Sequence, residues 1–199
     1  MKGIILLNAE KYQFEIDYKN SFVICCDGAF DLYRDAKTDL LVGDMDSISK
    51  VPAVKTELLN RDKNFSDSEH ALKILLKKNI DSIEIYGGGK RDDHQYFNMQ
   101  LLLLALQKNI PCVLKTNYCD IYAANGMFEL KVQKGQYISV APAGGSVHII
   151  DSEGLKYPLK NLTLKNKHTL GLSNVCEKNN VKMVIKRGTA FIFLVRGGK

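Results

Sequence analysis

"LVGDMDS" (Leu41–Ser47) decides how the first half of this chain is read. An apolar run ends in a glycine, and two aspartates, Asp44 and Asp46, follow one residue apart. Apolar residues closed by Gly and acids read as a buried strand running into a turn. Carboxylates crowded at a strand end repel each other unless a cation sits between them. Mg²⁺ suits that role, because it takes hard oxygen ligands and is commonly held by one or two carboxylates plus substrate phosphates.

Outward from this stretch, strand-like and helix-like segments alternate. "GIILL" (3–7), "FVICC" (22–26), "LLV" (40–42), "SIEIY" (82–86) and "PCVLK" (111–115) are short continuous apolar runs. Such runs suit strands buried on both faces of a mostly parallel sheet. Two helices are predicted between them. In "SDSEHALKILLKK" (66–78), Ser66 and Glu69 have capping-box spacing, and Ala71, Leu72, Leu75 and Leu76 form an apolar face. The second is "DHQYFNMQLLLLALQKN", from about Asp93 to Asn109, with Asp93 as a possible cap.

Past residue 117 the pattern changes. "MFELKV", "QYISVAP", "SVHII", "VKMVIK" and "TAFIFLV" recur between turn residues, and no helical pattern remains. Short strands at regular spacing predict a β-sandwich or barrel. The expected organisation is an α/β domain over 1–118 and an all-β, sandwich-type domain over 119–199.

Composition narrows the class. The chain has 199 residues, 45% of them apolar and 25% charged, as in soluble globular proteins. A net charge of +6 permits phosphate binding, but the lysines are scattered without a dense basic block, so nucleic acid is not the expected partner. Five cysteines (Cys25, Cys26, Cys112, Cys119, Cys176) lack zinc spacing and mostly sit in apolar stretches, which fits a reducing cytoplasm. "MKGIILLNAE" is too short an apolar run for a signal peptide, and no stretch approaches a membrane span.

In a parallel sheet, ligands bind outside the carboxyl ends of the strands. The unusual residues fall there: Asp27 and Gly28 after "FVICC", Asp44, Asp46 and Ser47 after "LLV", and "GGGKRDDH" (87–94) after "SIEIY". Asp67 opens the first helix. Each alone has a plain structural explanation: a turn, a cap or a loop. "GGGK" lacks P-loop spacing. Together they suggest Asp44, Asp46 and Asp27 around Mg²⁺ on a polyphosphate, with Gly88 and Gly89 admitting phosphate oxygens to the backbone and Arg91 neutralising charge. Phosphoryl-type transfer needs positioning and electrostatic stabilisation more than a covalent nucleophile. Residue chemistry stops at Mg²⁺, a nucleotide-like donor and an unknown acceptor.

The motifs in order resemble those of the thiamine pyrophosphokinase (thiamine diphosphokinase) family. They are Asp27-Gly28-Ala29, "TDLLVGDMDS" (38–47), "SDSEHAL" (66–72) and "GGKRDDHQYFNMQLL" (88–102). In the second half, "GLKYPL" (154–159), "GLSN" (171–174) and "RGTAFIFL" (187–194) are similar to the family's thiamine-side segments. The resemblance implies a homodimeric enzyme, with sites shared between chains, that moves a pyrophosphoryl group from ATP to thiamine and releases AMP. It assigns Asp44, Asp46 and Asp67 to Mg²⁺ and the acceptor end. Arg91 and Asp93 fall beside the polyphosphate and the reacting hydroxyl, and Asn98 aligns within the nucleotide motif. Ser66, Asp67, Ser173 and Asn174 are assigned to thiamine. The general base stays open among Asp46, Asp67 and Asp93. Three departures stand out: Asn64 where an acid is usual, Lys90 for a glycine, and Val175 for an acid. The rival readings are a pterin-type pyrophosphokinase, a phosphoesterase or glycosyltransferase using Asp44 and Asp46, and a non-catalytic thiamine- or nucleotide-binding regulator.

Overall fold

The apolar runs of the first half form β1 (Lys2–Leu6), β2 (Ser21–Cys26), β3 (Leu40–Gly43), β5 (Ser82–Tyr86) and β6 (Cys112–Lys115). A short β4 (Thr56–Leu58) completes an all-parallel sheet of order β6-β5-β1-β2-β3-β4. This computed structural model describes residues 1–49 and 53–197. The chain divides into two compact units, Met1–Asn117 and Tyr118–Lys199.

Central β1 is buried on both faces, with Ile4, Ile5 and Leu6 fully covered. Successive strand residues point to opposite faces. Ile4 and Leu6 join Val23, Cys25 and Leu41 in a core with Ala29 of the one-turn helix α1 (Ala29–Leu32). On the other face, Gly3 lies against Leu75 of α2 (Asp67–Leu76). Ala71, Leu72 and Leu75 are the buried stripe of α2, each large side chain contributing about 1.5–3 kcal/mol of burial. Ser66 caps α2 as its spacing predicts, its Oγ accepting the Glu69 N–H at 3.2 Å. The second long helix, α3 (Asp92–Gln107), packs on α2 and β6. Its N-cap position is Arg91, and Asp93 is the second residue of the helix, so Asp93 does not cap α3. There its charge still favours the helix N-terminus.

Tyr118–Lys199 contains no helix among its described residues. Its strands are β7 (Cys119–Lys131), β8 (Tyr137–Pro142), β9 (Ser146–Glu153), β10 (Leu162–Lys165), β11 (Asn174–Val175) and β12 (Asn180–Val195). "VKMVIK" and "TAFIFLV", which read as two strands, are one. The register of β12 shifts between Ile185 and Ala190, and the strand bends there instead of ending. Its first half pairs with β9 and its second half with β8, while β7 follows along both. The two halves enclose one core that includes Ile138, Val140, Ile149, Leu164, Met183 and Ile192.

Candidate functional site

The carboxyl ends of β1, β2, β3 and β5 lie along one edge of the parallel sheet, and the acidic and glycine-rich turns follow them. Asp27, Asp44 and Asp46 each offer a carboxylate oxygen, and these atoms lie within 4.8 Å of one another. Three features hold them there. Gly43 has φ 154°, and a Cβ at that position would stand 2.8 Å from the Asp27 Cβ, so glycine lets the two strand ends approach. Asp27 and Met45 take left-handed φ of 47° and 64°, strained conformations for side-chain-bearing residues. The Ser47 hydroxyl donates to Asp27 Oδ2, and the Asp46 N–H donates to Asp44 Oδ1 at 3.2 Å.

Charge balance in the cluster is incomplete. Asp27 Oδ1 is buried with no hydrogen-bond partner among the described residues. A buried carboxylate oxygen left unpaired costs free energy unless a cation or water reaches it. Arg61 supplies part of the balance, with Nη2 at 2.7 Å from Asp46 Oδ2 and Nε at 3.5 Å from Asp44 Oδ2. The Asp46 N–H, with Lys63 and Arg61 nearby, holds the Asp44 carboxyl below its usual range. Three hard oxygen donors, one of them orphaned, suit a small divalent cation.

Asp67 is not one of the three clustered carboxylates. Lys63 holds its Oδ1 at 3.0 Å. It shares a hollow of about 250 Å³ with Asn8, Asp27, Ser47, Ser66 and His94. A second hollow, of about 170 Å³, is lined by Gly88, Gly89, Lys90, Arg91 and Gln95, and has Asn8, His94 and Asn98 in common with the first. A larger residue at Gly88 would have to displace its neighbours: a Cβ would lie 2.0 Å from Gln95 Oε1, the end of a flexible side chain, and 2.8 Å from Thr116 Cγ2. Beside it, Arg91 grips Asp93 through two hydrogen bonds of 3.1 and 2.5 Å. This guanidinium, then the His94 N–H, keeps the Asp93 carboxyl below its usual range. Asp93 is therefore an ionised but weakened proton acceptor while the pair persists. Asn98 is buried, and its Oδ1 accepts from Ser68 Oγ at 3.3 Å, tying α3 to the start of α2.

Ser173 and Asn174 belong to the second unit and differ from each other. Ser173 is exposed, has φ 56°, and lines an apolar cavity of about 460 Å³ with Val140, Leu172 and Phe193. Asn174 is only 5% exposed, and its amide is engaged with backbone. Oδ1 accepts from the Tyr157 N–H at 3.1 Å and its neighbour's N–H at 2.8 Å, while Nδ2 donates to the Tyr157 carbonyl at 2.7 Å. It pins "GLKYPL" to "GLSN". Replacing Asn174 with alanine should destabilise the β unit by about 1–3 kcal/mol, because buried backbone groups lose their partners. Urea unfolding of the variant measures this; an unchanged midpoint would exclude the structural role.

Sequence reasoning missed several residues. Asn8 follows β1 as the other turns follow their strands, a position that could have flagged it. Arg61 gave no signal, since its partners Asp44 and Asp46 come from another turn, whereas Lys63 stands only four residues before its partner Asp67 and that spacing could have flagged it.

An acidic strand-end cluster beside a glycine-rich turn, on a parallel sheet joined to a strand-built unit, defines a class of chain suited to polyphosphate ligands. Residues 15–114 match the model "Thiamin pyrophosphokinase, catalytic domain". Residues 127–189 match "Thiamin pyrophosphokinase, vitamin B1 binding domain". The chain belongs to the thiamin pyrophosphokinase family. Among solved structures, thiamine pyrophosphokinase from Bacillus subtilis superposes with a TM-score of 0.87 at 24% identity, over 99% of this chain and 100% of that one. The Geobacillus thermodenitrificans protein gives 0.84 at 19% identity, over 99% and 98%. The yeast enzyme gives 0.74 at 14% identity, over 98% and 86%. At these identities the likeness speaks for the fold. Comparison of the sequence with curated proteins finds no match.

Proposed function

We propose that this chain is a thiamine diphosphokinase, transferring the pyrophosphoryl group of ATP to the hydroxyl of thiamine to give thiamine diphosphate and AMP. Membership of the family supports the activity. The observation that carries the site is the Asp27, Asp44 and Asp46 cluster with its orphaned Asp27 oxygen. In this reading these carboxylates, with Asp67 nearby, hold Mg²⁺. When bound, the ion neutralises polyphosphate oxygens and draws charge from the leaving group.

The protein's own groups divide the remaining work. Backbone N–H groups around Gly88 and Gly89 receive phosphate oxygens, and Arg91 offers its guanidinium to the transferred group as it loosens from Asp93. Asp27 and Gly28 form the turn beneath the nucleotide. Asn98 keeps the starts of α2 and α3 together, so that Ser66 and Asp67 face the acceptor. The hydroxyl proton of thiamine passes to one of Asp46, Asp67 and Asp93. Ser173 contributes to the thiamine pocket, and Asn174 supports it by fixing the loop. The units then serve as a nucleotide-binding catalytic domain and a sandwich-type domain for thiamine binding and dimerisation. The five free thiols suit a reducing cytoplasm, and no helix among the described residues is long and apolar enough to cross a membrane.

The test is incubation with thiamine and Mg-ATP, followed by phosphorus NMR. AMP and thiamine diphosphate should appear together, and only when thiamine is present. AMP formation with a hydroxymethyl pterin instead would favour the pterin-type reading. Thiamine binding without turnover would make the chain a regulator.

Asn64 offers a finer check. It is exposed and stands beside Lys63, three residues before Asp67. Replacing Asn64 with aspartate adds a negative charge three residues before Asp67, and, if that charge reaches the proposed metal, should lower the Mg²⁺ concentration giving half-maximal rate by about two- to fivefold. A superimposable Mg²⁺ titration would mean that position 64 does not sense the metal.

A further inference from the structure

The segment between β4 and α2 carries two cations to the acidic site, and they differ in freedom. Lys63, paired with Asp67, is only 13% exposed and is enclosed. Arg61, paired with Asp44 and Asp46, is 68% exposed and reaches its partners from solvent. The segment itself is anchored at both ends. The Leu59 N–H donates to the Gly43 carbonyl at 2.9 Å, and Phe65 stacks on His70 of α2 at 5.3 Å between ring centres. The backbone is thus fixed while the Arg61 head is free to leave.

Arg61 and a divalent cation answer the same demand. Both neutralise Asp44 and Asp46, and a guanidinium at 2.7 Å from Asp46 Oδ2 competes for the oxygen a metal would take. Arginine also binds phosphate bidentately, in the planar geometry it uses for carboxylates. A displaced Arg61 on an anchored segment would find polyphosphate oxygens as its nearest new partners.

We propose that Arg61 is an exchange residue. It holds Asp44 and Asp46 in the metal-free protein and transfers its guanidinium to the polyphosphate when Mg²⁺ and nucleotide enter. The inference rests on the metal reading given above. It assigns Arg61 a positioning role, keeping the carboxylates from springing apart and then adding a positive charge on the nucleotide.

Arg61→Ala and Arg61→Lys, compared with the unaltered protein, test this. Mn²⁺ binding without nucleotide, followed by electron paramagnetic resonance, reads the first half of the exchange. Losing an exposed competitor should tighten Mn²⁺ binding by about two- to fivefold in Arg61→Ala. Steady-state kinetics read the second half: KM for Mg-ATP should rise several-fold with kcat less affected, and Arg61→Lys should recover part of the loss. Equal Mn²⁺ affinities in Arg61→Ala and the unaltered protein would overturn the exchange while leaving the metal site standing. A tighter Mn²⁺ site with unchanged KM would overturn the transfer to nucleotide. Absence of Mn²⁺ binding in all three proteins would remove the metal reading and the inference with it.

Discussion

Replacing Asp46 with asparagine is expected to lower turnover by about 10²–10³-fold with little change in stability. The carboxylate stands in a turn, 45% exposed, and pairs with the Arg61 side chain. Exposed ion pairs contribute only about 0–1 kcal/mol, so folding loses little. Asparagine keeps the shape and one oxygen but removes the charge that balances a cation on the polyphosphate. Turnover across a Mg²⁺ series, with thermal melting as the control for folding, measures the effect. A variant that stays near normal at limiting Mg²⁺ would remove Asp46 from the metal site.

The second large effect is a gain. The proposed phosphate-side residues all lie before residue 117, and the proposed thiamine-side residue Ser173 lies in the second unit. If each site joins the first unit of one subunit to the second unit of its partner, a two-fold dimer carries two equivalent composite sites. Asp93→Asn should disable the first, and Ser173→Tyr should crowd the cavity in the second. Each homodimer should be nearly inactive. A heterodimer formed by mixing would contain one site with both faults and one with neither, so up to half of the normal activity per dimer should return. Subunit exchange verified by mass, without recovered turnover, would place each site within a single chain.

What the sequence disclosed follows from where the physics is local. Asp44 and Asp46 were legible because two like charges one residue apart at a strand end demand compensation, wherever in the chain it comes from. Ser66 was legible because a helix cap is a four-residue device, although the Glu69 carboxylate pairs with Lys73 and only its N–H serves the cap. The buried runs of β1, β2, β3, β5 and β6 announced themselves by continuous apolarity. β4 and β11 did not, being three and two residues long, too short for periodicity. Arg61 was silent because its partners, Asp44 and Asp46, come from another turn. Asn174 shows a different limit. Its place in a motif suggested a ligand contact, but whether an amide faces a ligand or a backbone is decided by burial, which one residue letter does not carry.

The bend in β12 has a consequence for how the protein is made. This strand, made last among those described, lies between β7 and β9 in its first half and between β7 and β8 in its second. Until residues 180–195 leave the ribosome, β8 and β9 lack the strand that joins them to β7, and the core they share stays open. The parallel sheet needs nothing beyond residue 115 for its own strands and can close earlier. Nascent chains would therefore carry a folded first unit and an exposed, edge-rich second one, the species on which chaperones and misassembly compete.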